Sequence, residues 1–220
     1  MAGDQRQEIQ WVPRTELGRK VASGEITSLE EVLQSGKKIL EPEIIDTLLP
    51  DLKDEVLDIK STQRMTAYGR KMKMRAVVIL GNHAGVIGIG IGKAAETRDA
   101  IGEAISDAKK HLIQVKFGCG SWECACGEKH SISIEVKGKA SSTRVTLKPA
   151  PKGVGIVAGR TSKKVLDLAG IKDVWSFTSG RTRNSLNTAL AVIDAFNVLN
   201  KLKKGNEPQT QIQTQKSEVK

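Results

Sequence analysis

The chain has few aromatic residues, which make up only 3% of its 220 residues. Proteins that bind single-stranded nucleic acid stack bases on aromatic side chains, so this scarcity argues against a stacking platform. Apolar runs long enough to cross a bilayer are also missing. The opening residues MAGDQRQEIQ lack the apolar segment of a signal peptide. We therefore expect a cytoplasmic protein with no membrane partner.

Cysteine is scarce as well, and the three cysteines are clustered, which argues against a scaffold held by disulfides. They lie with a histidine in CGSWECACGEKH, where Cys119, Cys124, Cys126 and His130 are predicted to bind Zn²⁺ because thiolate and imidazole groups suit tetrahedral zinc. The Cys-x-Cys step is not a usual zinc-finger spacing. Two alternatives stay open: small buried thiols beside a hydrogen-bonded histidine, and a catalytic Cys–His pair.

Acidic residues are outnumbered, with 25 Asp and Glu against 35 Lys and Arg and a net charge of +10. Such a surplus favours a polyanionic partner such as RNA. The residues before position 59 are the exception, because they are rich in acids. This extension is predicted to touch protein neighbours rather than to lie on RNA along its whole length.

Motifs of nucleotide-binding enzymes are not found in the sequence. The pair Gly92-Lys93 lacks both the upstream glycine and the following Ser or Thr of a phosphate-binding loop. Paired carboxylates do not lie near the glycines either. We therefore expect no enzyme. An enzyme resembling small-molecule kinases and a free zinc-bearing RNA-binding factor remain the alternatives.

A strand with glycine at every second position is the most distinctive feature that is present. Gly88, Gly90 and Gly92 fall within the apolar run that begins at Val86, and period two puts them on one face of a strand. Glycine serves either close packing of backbone on backbone or close approach of a ligand such as an RNA backbone, and both interpretations stay open. A helix capped by Thr97 follows, with one apolar stripe.

Strands and helices alternate in two units, predicted at 59–128 and 129–200, with an extension at 1–58 and a disordered polar tail at 201–220. The first unit is expected to begin with a strand at Ile59 and a basic loop at 64–73. Short helices are expected in the extension, one of them capped by Ser28. In the second unit, Lys137 and Lys139 are predicted in a basic turn, and a helix is expected to end at Gly170.

Several separated motifs resemble the family of the fifth small-subunit ribosomal protein (S-five). The strip MRAVVILGNHAGVIGIGIGKAAE resembles its first domain, and GKASSTRVTLKPAPKGVGIVAG, VLDLAGIKDVWS and GRTRNSLNTALAV resemble its second. EPEIIDTLLPDL and GCGSWEC resemble the archaeal and eukaryotic branch. The resemblance implies an α+β fold: a module like a double-stranded-RNA-binding domain, with a three-stranded sheet and a helix, then an α/β module with a left-handed βαβ crossover.

The resemblance also implies a function and a set of contact residues. It implies a structural constituent of the small ribosomal subunit that binds small-subunit ribosomal RNA near the decoding region and the mRNA entry side. It further implies contacts with the fourth and eighth small-subunit ribosomal proteins and a contribution to translational accuracy. The residues expected at the RNA are Arg64, Tyr68, Arg70, Lys71, Lys73, Arg75, Asn82, Gly88, Gly90, Gly92, Lys93, Lys137 and Lys139. Those expected at a protein interface are Gly180, Arg181, Thr182 and Asn187.

Overall fold

The computed structural model describes residues 11–201 with the exception of Ala125. Its acidic extension forms three short helices, α1 (Glu16–Ala22), α2 (Leu29–Gln34) and α3 (Glu43–Leu48). The Ser28 cap is confirmed, since its hydroxyl accepts the Glu31 N–H. The helix α1 was not predicted; it starts at a local cap in which the Thr15 hydroxyl accepts the Gly18 N–H. Apolar residues of these helices form a small core with Val86 and Leu112 of the first sheet.

The first sheet has four antiparallel strands in the order β1-β2-β3-β4. The strands are β1 (Lys53–Thr66), β2 (Gly69–Gly81), β3 (Val86–Ala94) and β4 (Leu112–Gln114), and the helix α4 (Thr97–Lys110) lies between β3 and β4 in sequence. The resemblance implied only three strands. The short β4 is added because the chain, on leaving α4, returns along the free edge of β3 at 86–88.

The basic segment 64–73, expected as a loop, belongs instead to a long β-hairpin. The strand β1 begins at Lys53, before the predicted start at Ile59, and stays paired with β2 up to Thr66 opposite Gly69. Gly69 has φ +124°, a conformation that glycine adopts without strain, and it lets the chain reverse over only two residues. The pairing therefore continues to the tip.

The second sheet has the order β5-β6-β8-β7. The strands are β5 (Val136–Ala140), β6 (Thr143–Pro149), β7 (Ile156–Val157) and β8 (Val174–Ser179), with α5 (Arg160–Ala169) before β8 and α6 (Ser185–Lys201) after it. Lys137 and Lys139 lie within β5, so the basic turn predicted there is wrong. The turn falls later, at Ser141 with φ +55°. Gly170 ends α5 in the left-handed conformation, as predicted.

The strands β7 and β8 are parallel and are joined through α5, which makes the βαβ unit that the resemblance implied. Its handedness stays a prediction. The domain limits also stay predictions, although β1 crosses the one drawn at residue 58. The tail expected at 201–220 lies outside the described residues apart from Lys201.

The elements stack in four layers. The helix α4 covers one face of the first sheet through Ala76 and Val78. The other face, with Val77 and Ile79, shares one continuous core with α5, α6 and the inner face of the second sheet. Within residues 11–124 and 126–201, no helix is both long and apolar enough to cross a membrane.

Candidate nucleic-acid interface and metal centre

The alternating glycines of β3 are used for packing against α4. A Cβ at Gly90 would lie 2.0 Å from the carbonyl oxygen of Ala104, and one at Gly92 would lie 2.0 Å from that of Ala100. Gly88 meets α4 in the same way. All three are buried, so the helix occupies the side from which an RNA backbone would have to approach. Of the two interpretations that the sequence left open, packing is the one that the structure supports, and it corrects the RNA-contact role expected for these glycines.

The basic residues expected at the RNA are brought together on the β1–β2 hairpin and the end of β3. Arg64, Lys71, Lys73 and Lys93 are exposed, and Tyr68 at the hairpin tip is 103% exposed. Arg70 is exposed on the same hairpin, while Arg75 is half-buried. Among the described residues, none of these cations has an ion-pair partner. Exposed cations without carboxylate partners are available to phosphate groups.

Three other residues of the expected RNA set lie away from this hairpin. Asn82 is engaged locally, because its side-chain oxygen accepts the N–H groups of Ala84 and Val86. Lys137 and Lys139 are exposed on the second sheet. Since the intervening Gly138 is buried against α6, the two lysines point to the opposite face of that sheet.

Of the residues expected at a protein interface, Gly180, Arg181 and Thr182 lie in the turn between β8 and α6, and Asn187 lies in the first turn of α6. Gly180 has φ +88°, and a Cβ there would lie 2.0 Å from the Ser142 carbonyl oxygen, so the turn is held against the β5–β6 turn. The carbonyl oxygens of Arg181 and Thr182 accept hydroxyl hydrogen bonds from Thr143 and Thr188. The turn is thus tied down through its backbone, and the side chains of Arg181 and Thr182 are left exposed.

The predicted zinc ligands converge. The ligand atoms of Cys119, Cys124, Cys126 and His130 all lie within 4.8 Å of one another. The sulfurs of Cys126 and Cys119 are 3.6 Å apart, and Cys124 Sγ is 3.7 Å from His130 Nε2. Ligands about 2.3 Å from a tetrahedral zinc are separated by about 3.8 Å. The arrangement therefore fits a tetrahedral metal after side-chain shifts of about an ångström or less.

The thiols of this cluster do not ionise equally. Hydrogen bonding from the Cys126 thiol and backbone N–H groups lowers the pKa of Cys124 to about 6. Burial, together with the neighbouring thiols, raises the pKa of Cys119 to about 11. Negative charge is thus favoured on the sulfur of Cys124, and a bound cation would favour ionisation of the other thiols.

Asp173 supports the cluster from a distant part of the chain. Its Oδ2 lies 2.9 Å from His130 Nδ1, and both side chains are at least nine-tenths buried. Its Oδ1 accepts the N–H groups of Gly153 and Gly155 at 3.0 and 2.8 Å. A carboxylate that accepts Nδ1–H leaves Nε2 of the imidazole free as a metal ligand, which is a common arrangement at protein metal sites.

Comparisons with known proteins agree with the fold and with the order of the motifs. Residues 52–116 match the model of "Ribosomal protein S5, N-terminal domain", and residues 138–207 match that of "Ribosomal protein S5, C-terminal domain". The chain is 55% identical over 199 residues to small ribosomal subunit protein uS5 of Methanoregula boonei, covering 90% of this chain and 97% of that one. The chain belongs to the ribosomal protein S5 family.

Further relatives place it in the archaeal branch of the S5 family. The uS5 protein of Methanospirillum hungatei is 56% identical, with 89% of this chain and 96% of that one covered. The protein of Methanocaldococcus jannaschii is 52% identical, with 87% and 88% covered. Proteins of the S5 family are structural constituents of the ribosome, so the expectation that the chain is not an enzyme is confirmed.

Sequence reasoning missed two groups of residues in this S5 protein. Asp173 has no local signal, because it lies far along the chain from His130. A cleft next to the hairpin also went unnoticed, although it is lined by Lys60, Arg160, Lys164 and Arg183. These cations are spread over the sequence, and only the packing of α5 and α6 against the first sheet brings them together.

Proposed function

We propose that the chain binds small-subunit ribosomal RNA near the decoding region and the mRNA entry side, and that it contributes to translational accuracy. The observation that carries this proposal is the exposed hairpin, on which Arg64, Lys71 and Lys73 have no carboxylate partner in the described part of an S5-family chain. Folded RNA is contacted largely through phosphates and shape, for which Arg and Lys are suited. The family membership places the protein with the ribosome in the cytoplasm.

We also propose that the turn of Gly180, Arg181 and Thr182, together with Asn187 at the start of α6, contacts the fourth small-subunit ribosomal protein, with the eighth as a further neighbour. The turn supports this because its backbone is fixed by the β5–β6 turn, while the Arg181 and Thr182 side chains are free to meet a partner. A loop whose backbone is already fixed loses less conformational entropy when it binds a partner.

Reconstitution tests the ribosomal proposal. Tagged protein is added to a small-subunit assembly mixture and sedimented through a high-salt gradient. Stable co-migration with small subunits supports a ribosomal constituent. Binding to free RNA combined with loss from subunits at high salt would favour an RNA-binding factor that acts outside the ribosome, and this outcome would contradict the proposal.

We further propose that the Cys/His cluster binds one zinc ion. The donor set of three thiols and one imidazole, the spacing of its atoms and the carboxylate behind His130 all fit a structural zinc site. Zinc would supply a fixed tetrahedral junction in the segment that joins the two sheets.

Elemental analysis of protein purified without chelator tests the zinc proposal. About one zinc per chain is expected. Replacement by Co²⁺ should give the absorption bands of tetrahedral thiolate coordination, and Cys124→Ser should abolish them. A metal-free preparation that also takes up no added zinc would refute the site.

A further inference from the structure

We infer that RNA lies along one face only of the β1–β2 hairpin and continues from there into the cleft beside α5 and α6. The inference deepens the proposed RNA-binding function and rests on it. It assigns new contact residues in the cleft, and it removes Arg70 from the surface that binds phosphate.

The strand register sorts the hairpin side chains into two unlike faces. Directly opposed residues of antiparallel strands share a face, and neighbours along a strand alternate. On one face Arg64 is opposite Lys71, and Thr62 is opposite Lys73. The next row of the same face runs across three strands as Lys60, Arg75 and Lys93. Every row of this face therefore carries at least one cation between the body of the protein and the hairpin tip.

The other face of the hairpin is different in character. It continues the surface that packs on α4, and its opposed pairs are Met65 with Arg70, Gln63 with Met72, and Ser61 with Met74. Arg70 is the one cation on this face among the described residues of the hairpin. The sequence RKMKMR looks evenly basic, but alternation places its lysines and its first arginine on opposite sides.

The cationic face has few hydrogen-bond acceptors or carboxylates to pair with its Lys and Arg side chains. Like charges placed directly opposite each other destabilise a sheet. Asp58 is on the same face, but it is already engaged by Lys60 at 2.6 Å and by the Ser185 hydroxyl at 2.7 Å. The Nε of Arg75 is buried and has no hydrogen-bond partner within the described chain. Phosphate oxygens would supply acceptors to the exposed cations of this face and offset their mutual repulsion.

The cleft extends this face toward the second half of the molecule. It has a volume of about 300 Å³, and Lys60 and Asp58 of the cationic face form one wall. The opposite wall carries Arg160, Lys164 and Arg183. Lys164 is paired with Glu55, whereas Arg160 and Arg183 are exposed and have no carboxylate partner among the residues described. The two surfaces meet at Lys60, so together they form one continuous cationic track.

The geometry of the track fits the backbone of an RNA strand. Rows of the same face repeat every two residues, about 6.7 Å along a strand. Successive phosphates along a nucleic acid strand are separated by a similar distance, so one backbone can meet one row after another. The partner that the track fits is therefore a phosphodiester backbone, contacted without reading of bases.

Neighbouring residues of equal charge provide a matched test. Lys71→Gln removes a cation from the track, and Arg70→Gln removes one from the adjacent position on the opposite face. Binding to an in vitro transcript of the small-subunit ribosomal RNA of Methanoregula boonei is measured over a range of KCl concentrations. Lys71→Gln should reduce the slope of log K against log salt by about 0.7 to 0.9, the value for one lost phosphate contact, and Arg70→Gln should leave it unchanged.

A second pair tests the cleft. Arg183→Gln should also reduce the slope of log K against log salt. Arg98→Gln, which changes an exposed residue on the outer side of α4, should leave that slope unchanged. Circular dichroism and thermal unfolding check that each variant is folded. Equal slopes for Arg70→Gln and Lys71→Gln would overturn the one-face assignment, because net charge alone would then set the affinity. Wild-type protein that binds no RNA would instead refute the proposed function itself.

Discussion

Each of the two sheets packs a long helix closely against one strand, β3 in the first sheet and β5 in the second. Both contacts depend on glycines in the strand, but the number of glycines differs. In the first sheet, Gly88, Gly90 and Gly92 of β3 bring α4 into backbone contact over three successive rows. In the second sheet, Gly138 of β5 alone meets α6, where a Cβ would lie 2.0 Å from the Ala191 carbonyl oxygen. The helix α4 thus has close backbone contacts along much of its length, whereas α6 has such a contact with β5 at one glycine only.

Both helices also supply acceptors to the strand edge that they cover. The N–H groups of Ile91 and Lys93 donate to Asp107 and Glu103 of α4. The N–H of Lys139 donates in the same way to Asp194 of α6. Unpaired N–H groups make an edge strand prone to pairing with other chains. The comparison shows that glycines on one face and carboxylates at the edge together let a helix close off a sheet.

The largest expected effect comes from adding a side chain within the contact between β3 and α4, which extends over three glycine rows. Gly90→Val would place side-chain atoms against the Ala104 carbonyl and the Ala108 N–H, and the helix cannot move away while its neighbouring rows stay in contact. The free energy of unfolding should fall by more than about 4 kcal/mol, measured by denaturant titration. As a control, Gly102→Ala on the open side of α4 should raise it by about 1 kcal/mol. A loss below about 1 kcal/mol at Gly90 would show that the contact can yield.

The contact between β5 and α6, which has one glycine, should tolerate the same kind of substitution better. Gly138→Val also meets backbone atoms, but α6 has no second glycine row beside it that would oppose a small local shift of the helix. We expect a loss of about 2 to 3 kcal/mol, in the range of ordinary overpacking. Equal losses at Gly90 and Gly138 would contradict the idea that the number of glycine rows determines how firmly the helix is held.

The junction between the two sheets can be tested through Asp173. Asp173→Asn presents an amide to His130 Nδ1 and favours the tautomer whose Nε2 carries the proton and cannot bind metal. Affinity for Zn²⁺ in competition with a chelator should fall about tenfold to a hundredfold. ¹⁵N NMR of His130 should show the changed tautomer in the metal-free protein.

Asp194→Asn is the matched control for that experiment, because its carboxylate also accepts a backbone N–H but lies in the α6–β5 contact. It should change neither the metal affinity nor the His130 signal. If Asp173→Asn binds zinc as tightly as the wild type, the supporting role of Asp173 is refuted. The proposal that the three cysteines and His130 bind zinc would not be affected by that result.

The smallest effects are expected at the strand edges. Asp107→Ala and Asp194→Ala each leave one strand N–H without its protein acceptor, and both sites are accessible to water. Each should cost about 1 kcal/mol of unfolding free energy, and the Asn variants, which keep an acceptor oxygen, should cost less. A loss confined to one of the two sheets would show that the device is not shared.

Local sequence patterns were enough to predict much of the candidate site. The clustered cysteines and His130 were predicted to come together because all four lie within one loop, and chain connectivity alone keeps them close. The glycine period of two identified a face because side-chain alternation is a property of any strand. The Ser28 cap and the Gly170 stop were likewise local, since each depends on the conformation of a few consecutive residues.

Several assignments depended on contacts between distant segments. That α4 rather than RNA covers Gly88, Gly90 and Gly92 follows from the helix returning onto its own strand. The basic segment was taken for a loop because nothing in its composition reveals pairing, and only the register separates Lys71 from Arg70. Asp173 and Arg183 reach their places through the packing of the second half of the chain.

The amino-acid sequence by itself determined the family, the basic character of the surface, the Cys/His cluster and the positions of most helices and strands. These features follow from composition and from short-range stereochemistry, neither of which depends on how distant segments pack. The tertiary structure alone decided which face of each strand is covered, which cations stand together and which carboxylate stands behind His130. Those choices depend on strand register and helix docking, which are set by burial of the shared apolar core between the two sheets.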